Sequence, residues 1–256
     1  MVRIAQIVLP GASEYERKSQ RVDAAALGDK VVALDDRPDV AHVYASGTLP
    51  PARFVRFPVP YVSSAPLPKS RFSLRKPVPP RAAAGRDELP EAVEEAYFSA
   101  TRAPVARDVK IIGSFARVAT RNMVEQTLSR IHRFRSDVTW NLYAHTPAPE
   151  DLAGVDAWVD PATAPDDLDG FVAEALVVGL PVVASRTPVN MSRLEQGRTG
   201  FLVPPGDPNE MTHAILSALF KAEVAESKQS AARQTVSKFR ARQRLRILLA
   251  LYESLI

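Results

Sequence analysis

The sequence contains no cysteine and no long hydrophobic run. The missing cysteines exclude disulfides, thiolate zinc sites and cysteine nucleophiles. No apolar stretch approaches the ~20 residues that a membrane-spanning helix requires. Residues 1–10 contain an apolar run that is too short for a signal peptide, and we predict that this run forms the first strand. These absences predict a soluble protein of the cytoplasm.

Familiar catalytic signatures are missing as well. The chain has no Walker-type phosphate loop, no Gly-x-Ser-x-Gly nucleophile elbow, no His-Glu-x-x-His and no dinucleotide-binding glycine fingerprint after a strand. His132, His145 and His213 have no carboxylate or histidine partner at the spacing of metal ligands. His42 stands in an apolar run, which is typical of a buried strand. The sequence therefore predicts that the protein binds no metal.

The net charge of +4 is concentrated in two basic segments. Lysine and arginine are interspersed with proline at residues 69–86. The predicted last helix carries the second group, Lys238, Arg240, Arg242, Arg244 and Arg246. Such clusters attract nucleic acid, anionic lipid or phosphorylated ligands. No aromatic side chains that would stack on bases accompany them, so we do not expect nucleic-acid binding. A solvated surface and a peripheral membrane contact are both compatible with the pattern.

The length and the composition favour two compact α/β domains. A chain of 256 residues exceeds the usual size of one domain, and 46% hydrophobic with 24% charged residues is typical of globular proteins. Short apolar runs in the first half predict strands at 4–9, 30–34, 40–44 and 58–62, with a helix at 13–27. The segment 63–105 is rich in proline and arginine. We predict that it forms a linker, with one helix at 91–102, and that it closes a first domain of residues 1–105.

Residues 106–256 alternate more regularly between strands and helices, which predicts a second domain. Apolar runs predict strands at 109–112, 139–143, 155–159, 181–184 and 201–203. Helical patterns occur at 122–134, 171–178 and 209–220, the last with Asp207 as its cap and Pro208 as its first residue. Such an alternation predicts a parallel sheet that is covered on both faces. Ligands bind sheets of this kind at the carboxyl ends of the strands.

Two segments of the second half carry a resemblance to a known family. The run 170–185, GFVAEALVVGLPVVAS, and the run 195–207, EQGRTGFLVPPGD, resemble the donor-binding region of the retaining glycosyltransferase family called group 1 or family 4. The resemblance implies an α/β fold of the GT-B type, with two Rossmann-like parallel-sheet domains and a last helix that crosses back to the first. In the first half it is limited to residues 38–43 and the Pro10-Gly11 loop. Because the first domain is shorter than is usual for this family, we expect a reduced version of it.

The resemblance also implies which carboxylates serve a donor site. Glu174 matches the residue that binds the ribose of the nucleotide, and a carboxylate can accept two hydrogen bonds from adjacent hydroxyls. Glu174 is the second of a pair of Glu residues in the family; Asp166 stands at the position of the first, and Asp169 is the alternative for that role. Gly170 follows directly. A surface helix with acidic residues in its first turn is the competing interpretation.

Arginines are the candidates for binding the diphosphate. After Gly113, at the end of the first strand of the second domain, the family has an arginine where this chain has Ser114. Arg117 and Arg121 are the cations left nearby, and ordinary solvent-facing arginines would give the same pattern. In the first domain, Gly11 and Ala12 belong to a short loop that, by the resemblance, faces the cleft.

The function implied by the resemblance is that of a bacterial, cytoplasmic hexosyltransferase. Such an enzyme transfers a hexosyl unit from a nucleotide-diphospho-sugar, with retention at the anomeric carbon, and needs no cofactor. The acceptor would be a saccharide or a lipid-linked molecule, and the latter favours the inner face of the membrane. No residue is assigned to catalysis. The alternative is a degenerate relative without catalysis that binds a nucleotide-sugar or a protein partner, because Ser114, Asp166 and a missing histidine after the fourth strand depart from the family.

Overall fold

The fold is that of a computed structural model, and its description covers residues 3–9, 12, 14–32, 36, 38–44, 61–63, 81–83, 91–100, 108–163 and 170–254. The chain divides into two compact units. The first comprises Met1–Glu94 with Lys238–Ile256, and the second comprises Glu95–Ser237. This division comes earlier than the boundary predicted after residue 105. Most of the predicted linker at 63–105 lies outside the described residues.

The first unit contains a parallel sheet of five strands. These strands are β1 (Ile4–Val8), β2 (Val31–Val32), β3 (Val40–Tyr44), β4 (Tyr61–Ser63) and β5 (Arg81–Ala83). They are ordered β2-β1-β3-β4-β5, and every neighbouring pair is parallel. The helices α1 (Glu14–Leu27) and α9 (Ala241–Glu253) pack against each other beside it. The prediction of β3 is confirmed to the residue. β5 was not predicted because its surroundings were interpreted as a linker.

The second unit contains another parallel sheet of five strands. Its strands are β6 (Lys110–Phe115), β7 (Val138–Tyr143), β8 (Ala157–Asp160), β9 (Val182–Ser185) and β10 (Phe201–Val203), in the order β10-β9-β8-β6-β7. Its helices are α2 (Glu95–Ser99), α3 (Arg121–Ile131), α4 (Pro149–Ala153), α5 (Val172–Val178), α6 (Pro188–Arg193), α7 (Pro208–Phe220) and α8 (Ala222–Thr235). The parallel sheet predicted from the alternation is thus confirmed in the second unit.

Local signals explain where several of these elements begin and end. Asp207 caps α7 as predicted, since its carboxylate accepts hydrogen bonds from the backbone N–H groups of Asn209 at 2.9 Å and Glu210 at 3.1 Å. Gly179 ends α5 in the left-handed conformation, with φ of 88°. The strand expected to end at Gly113 continues through Phe115, because Gly113 and Ser114 pair with β7. Among the described residues, no helix combines the length and the apolar character needed to cross a membrane.

The core of the first unit joins α9 to the sheet through apolar and polar contacts. Leu248 and Tyr252 of α9 pack with Ile4, Leu27 and Val40 in one buried cluster. Burial of this apolar area stabilises the closing helix.

A buried ion pair joins α9 to α1. Arg244 donates two hydrogen bonds to the Asp23 carboxylate, at 2.6 and 3.0 Å, and Tyr44 donates a third from its hydroxyl at 2.9 Å. Arg244 therefore does not belong to the solvated basic face on which the sequence placed it. Its side chain is 5% exposed, because α9 turns one of its three arginines towards the core.

His42 lies beside this ion pair. Its Nδ1 is 2.6 Å from the Tyr252 hydroxyl, and its ring stacks on Tyr44 with centroids 4.1 Å apart. Burial, assisted by the charge of Arg244, lowers the pKa of His42 from its ordinary value of 6.5 to about 3. The prediction that His42 is a core residue is confirmed by its complete burial.

Replacing Arg244 with Met should destabilise the first unit strongly. The variant leaves the Asp23 carboxylate buried without its cation, and breaking a buried pair in this way costs about 3–5 kcal/mol. Urea unfolding followed by circular dichroism measures the change. Arg242→Met, at an exposed position of the same helix, is the matched control and should unfold like the parent. Equal stability of the two variants would contradict the importance of the pair.

Stability should fall on mild acidification because of His42. The unfolded chain takes up a proton near pH 6.5, whereas the folded chain resists protonation until about pH 3. The stabilisation is therefore complete above pH 6.5 and is lost as the pH falls towards 3, with about 2 kcal/mol lost between pH 7 and 5. Urea unfolding at both pH values tests this. In His42→Gln, the free energy of unfolding should fall less between pH 7 and pH 5 than in the parent. An equal fall in both proteins would contradict this role of His42.

Candidate functional site

The carboxyl ends of β6, β8 and β9 bring together a group of polar side chains around Asp160. Asp160 is the last residue of β8 and is completely buried. A buried carboxylate is costly unless it is paired and hydrogen-bonded. Arg117 forms an ion pair with its Oδ1, and the Asn190 side-chain amide donates to its Oδ2 at 2.7 Å. Three segments of the unit therefore converge on one carboxylate.

Arg117 is positioned by the turn that follows β6. The Ala116 N–H donates to the Tyr143 carbonyl at 2.8 Å, which continues the pairing with β7 beyond the strand. The Arg117 carbonyl then accepts from the Thr120 N–H at 3.2 Å and from its hydroxyl at 3.1 Å. This short 3₁₀ turn fixes the backbone of Arg117. Its guanidinium reaches Asp160 with 13% of the side chain exposed.

Asn190 is positioned by the start of α6. The Thr187 hydroxyl caps this helix and accepts from the Asn190 N–H at 3.2 Å. The Asn190 side-chain amide donates to the Ser185 carbonyl at 3.1 Å as well as to Asp160. Asn190 thereby links the ends of β8 and β9.

Gly170 completes the group because nothing larger fits beside Asp160. A Cβ at Gly170 would lie 2.5 Å from the Asp160 carboxyl carbon. The Trp158 indole N–H donates to the Gly170 carbonyl at 2.6 Å. The same indole ring covers Gly113, where a Cβ would come within 2.8 Å of it. Two of the glycines predicted at the donor site are thus required for close packing around Trp158 and Asp160.

Phe171 holds an unusual conformation directly before α5. Its φ of 52° places it in the left-handed region, which is uncommon for a residue with a side chain. Its ring packs on Phe115 with centroids 5.1 Å apart, and this contact joins the start of α5 to the end of β6. Strained residues of this kind are found preferentially at functional sites.

The structure places the other predicted site residues as follows. Glu174 lies in the first turn of α5 and is completely buried. Arg121 is the exposed first residue of α3. Ser114 is buried, and its hydroxyl accepts from the Trp140 indole at 2.8 Å, which gives it a structural contact. Ala12 is buried in the first unit, where its N–H donates to the Leu9 carbonyl at 3.1 Å.

Three further predicted residues, Asp166, Asp169 and Gly11, lie outside the described residues. The described part of the chain contains no group of three or more acidic or histidine side chains that could bind a metal ion. Participation of the ten predicted residues in donor binding stays a prediction.

Asp160 and Asn190 were missed by sequence reasoning. Asp160 directly follows the apolar run predicted as a strand, and a polar residue at the carboxyl end of a buried parallel strand is a usable signal. Asn190 gave no comparable signal, because its role depends on a contact with a residue 30 positions away. Chemically, the group orients one guanidinium beside Gly170 at the carboxyl ends of the strands, which is where sheets of this kind bind ligands.

Comparison with known proteins gives a family match for this region. The profile of the family described as "Glycosyl transferases group 1" matches residues 91–220, just over half of the chain. This range includes the whole Asp160 group. No curated protein matches the chain in sequence.

Solved structures share the fold. Alr3699/HepE of Anabaena, in complex with UDP and glucose, is 13% identical with a TM-score of 0.68, over 99% of this chain and 100% of that one. A glycosyltransferase from Rickettsia africae ESF-5 is 13% identical with a TM-score of 0.66, over 99% of this chain and 98% of that one. TarM of S. aureus is 18% identical, with a TM-score of 0.49. That match covers 59% of this chain but only 36% of the TarM chain. The first two likenesses establish the GT-B type of α/β fold.

Removing the charge of Asp160 should destabilise the second unit. Asp160→Asn keeps the size of the side chain but leaves the largely buried Arg117 guanidinium without its carboxylate, at a cost of about 3 kcal/mol. The free energy of unfolding in urea is the quantity to measure. Asp137→Asn, in a partly exposed ion pair with Arg135, is the control and should change the free energy of unfolding much less. A similar small effect for both variants would show that Asp160 does not hold the group together.

Proposed function

Since the chain belongs to the group 1 glycosyl transferases, we propose that it transfers a hexosyl unit from a nucleotide-diphospho-sugar, with the donor bound by the second unit. The observation that carries this proposal is the Asp160 group at the carboxyl ends of the strands of the second sheet. Its residues all lie within the range 91–220 that matches the family, and Gly170 begins the run that resembles the family's donor site. Parallel α/β sheets bind their ligands at the carboxyl ends of their strands.

The reaction has one main electrostatic requirement. Charge builds up on the departing nucleotide diphosphate, and fixed cations and N–H donors stabilise it. Arg117 is the proposed oriented cation, because the Asp160 carboxylate and the turn after β6 hold it in place. Arg121 is the second proposed cation for the diphosphate. It is exposed, and no ion pair of Arg121 is found among the described residues. Its charge is not offset by a carboxylate, unlike that of Arg117.

Glu174 is proposed to bind the ribose. Its position in the first turn of α5, four residues after Gly170, agrees with the resemblance. Its burial adds a condition, because protein atoms cover the carboxylate and must move before hydroxyl groups can reach it. We therefore propose that nucleotide binding rearranges the start of α5, where Phe171 already has a strained backbone.

UDP-glucose is the donor to test first. The Anabaena protein, whose length this chain matches almost completely, has also been crystallised in complex with UDP-glucose, at 13% identity and a TM-score of 0.66. A chain of this size can therefore bind a nucleotide-sugar, which supports the proposal. Retention at the anomeric carbon and a saccharide or lipid-linked acceptor are proposed from the family resemblance alone. No cofactor is proposed.

A non-catalytic binding protein is the second candidate function. One observation favours it: the charge of Arg117 is already matched by Asp160, so less positive charge is left for a diphosphate. Ser114, which replaces the family's arginine, is occupied by Trp140. In the second basic group Arg244 is buried, so the contribution of that group to contact with an anionic membrane would come mainly from the exposed Arg240, Arg242 and Arg246.

Thermal unfolding with a panel of UDP-, GDP- and ADP-sugars tests donor binding. A ligand at ~100 times its dissociation constant adds about 2.7 kcal/mol to the free energy of unfolding, which raises the melting temperature visibly. We expect this shift with UDP-glucose. Glu174→Gln should lose most of it, because an amide oxygen and an NH₂ group cannot accept both ribose hydroxyls.

Glu150→Gln, an exposed position on α4, is the matched control and should respond to UDP-glucose like the parent. If no nucleotide-sugar raises the melting temperature, the donor site is wrong. If UDP-glucose binds but no UDP is released with any saccharide or lipid-linked acceptor, the non-catalytic function is favoured. The configuration of a product, read by NMR, decides between retention and inversion.

A further inference from the structure

A cavity of about 600 Å³ lies along the outer edge of β10, away from the Asp160 group. β10 is the edge strand of the second sheet, and α7, the turn 195–197 and Lys228 of α8 form the other walls. Asp160, Arg117, Asn190 and Gly170 do not line it. Its volume is within the range of small-molecule sites. We call it the edge cavity.

Two cations line the edge cavity. Arg186 follows β9, and its N–H donates to the Val203 carbonyl at 2.7 Å while its side chain is exposed. Lys228 donates to the Gly197 carbonyl at 2.6 Å, and its ammonium lies 5.0 Å from the centre of the Phe201 ring. An ammonium group has three N–H donors, so one bond to a carbonyl leaves two for a ligand. Glu210 is the acidic side chain among the described lining residues, and the cations outnumber it.

Neutral side chains of the edge cavity suit a hydroxylated ligand. Gln196 and Ser217 can each donate and accept hydrogen bonds, and the Glu210 carboxylate can accept from hydroxyl groups. Phe201 and Met191 supply an apolar surface. Carbohydrates present this combination, with hydroxyl groups around the ring and C–H groups on its faces.

The turn 195–197 holds a strained backbone at the rim of the edge cavity. Glu195 and Gln196 have φ values of 48° and 56°, and Gly197 has 92°. The conformation is maintained by the Leu194 carbonyl, which accepts from the N–H groups of Gly197 at 2.9 Å and Thr199 at 3.2 Å. Two consecutive non-glycine residues in the left-handed region are unfavourable, and such strain persists mainly where it positions groups for a ligand. Here it presents Gln196 to the cavity and the Gly197 carbonyl to Lys228.

We propose that the edge cavity binds a small anion that carries hydroxyl groups, such as a sugar phosphate. Arg186 and Lys228 bind the phosphate, while Gln196 and Glu210 bind hydroxyl groups and Phe201 contacts the ring. Charge-assisted hydrogen bonds from two cations give such a site its preference for a phosphate over a neutral sugar. The site is separate from the donor site, and the inference does not depend on the proposed transfer reaction.

Methyl NMR of methionine tests the proposal, with glucose 6-phosphate as the probe. Of the four methionines, Met191 lines the edge cavity, whereas Met123 and Met211 are buried in the core. With ¹³C-methyl labelling, and with Met191→Leu to assign the signal, glucose 6-phosphate should shift the Met191 resonance in a saturable way. The Met123 signal should stay in place.

Variants of the two cations give the test its specificity. Arg186→Gln and Lys228→Gln should each weaken binding by about tenfold, because each removes a charged hydrogen-bond donor. Arg233→Gln, at an exposed position of the same helix as Lys228, is the matched control and should bind like the parent. Glu174→Gln should also keep the Met191 shift, which separates this site from the donor site.

Several results would overturn the proposal. The site does not exist if glucose 6-phosphate leaves Met191 unmoved, or if Arg186→Gln and Lys228→Gln bind as tightly as Arg233→Gln. Glucose alone should give no shift at the same concentration, and an equal shift would show that the cations are not used. Inorganic phosphate should bind more weakly than glucose 6-phosphate. Equal binding of both would refute the hydroxyl-binding role.

Discussion

A single buried carboxylate organises the second unit at the carboxyl ends of its strands. Asp160 can be buried only because Arg117 and Asn190 bind it from the ends of neighbouring strands, and these partners are fixed in turn by the capping and turn contacts around them. Gly170 must be glycine because the carboxylate occupies the space of a side chain. The identity of the residue at position 170, two residues before α5, therefore follows from satisfying one charge.

In the first unit, too, a buried carboxylate fixes the position of its neighbours, here two packed helices. Asp23 is buried and receives hydrogen bonds from Arg244 and Tyr44, and this contact determines how α9 lies on α1. An apolar contact alone would allow a helix to slide or rotate on its neighbour. The ion pair and the adjacent contact of His42 with Tyr252 are directional, and so they define one arrangement.

The parts of the structure that could be predicted are those specified by local sequence. β3, β10 and α5 were located closely because their apolar runs are bounded by residues that end a strand or a helix, such as Gly179. α8 was missed because its alanine-rich sequence shows little apolar periodicity, and α6 because six residues are too few to display one. The Asp160 group was missed for another reason. Arg117 and Asp160 are 43 positions apart, and only the order of the strands brings them together.

The division of the chain bears on the order in which its parts fold during synthesis. The second unit is one continuous stretch, Glu95–Ser237, and all of its strands leave the ribosome before α9 is made. The first unit needs Leu248 and Tyr252 of α9 to complete its core, although its strands are synthesised earliest. Domains generally fold as units once their residues are available. The first sheet to be translated is therefore the last to be completed, and until then its apolar face requires protection from aggregation.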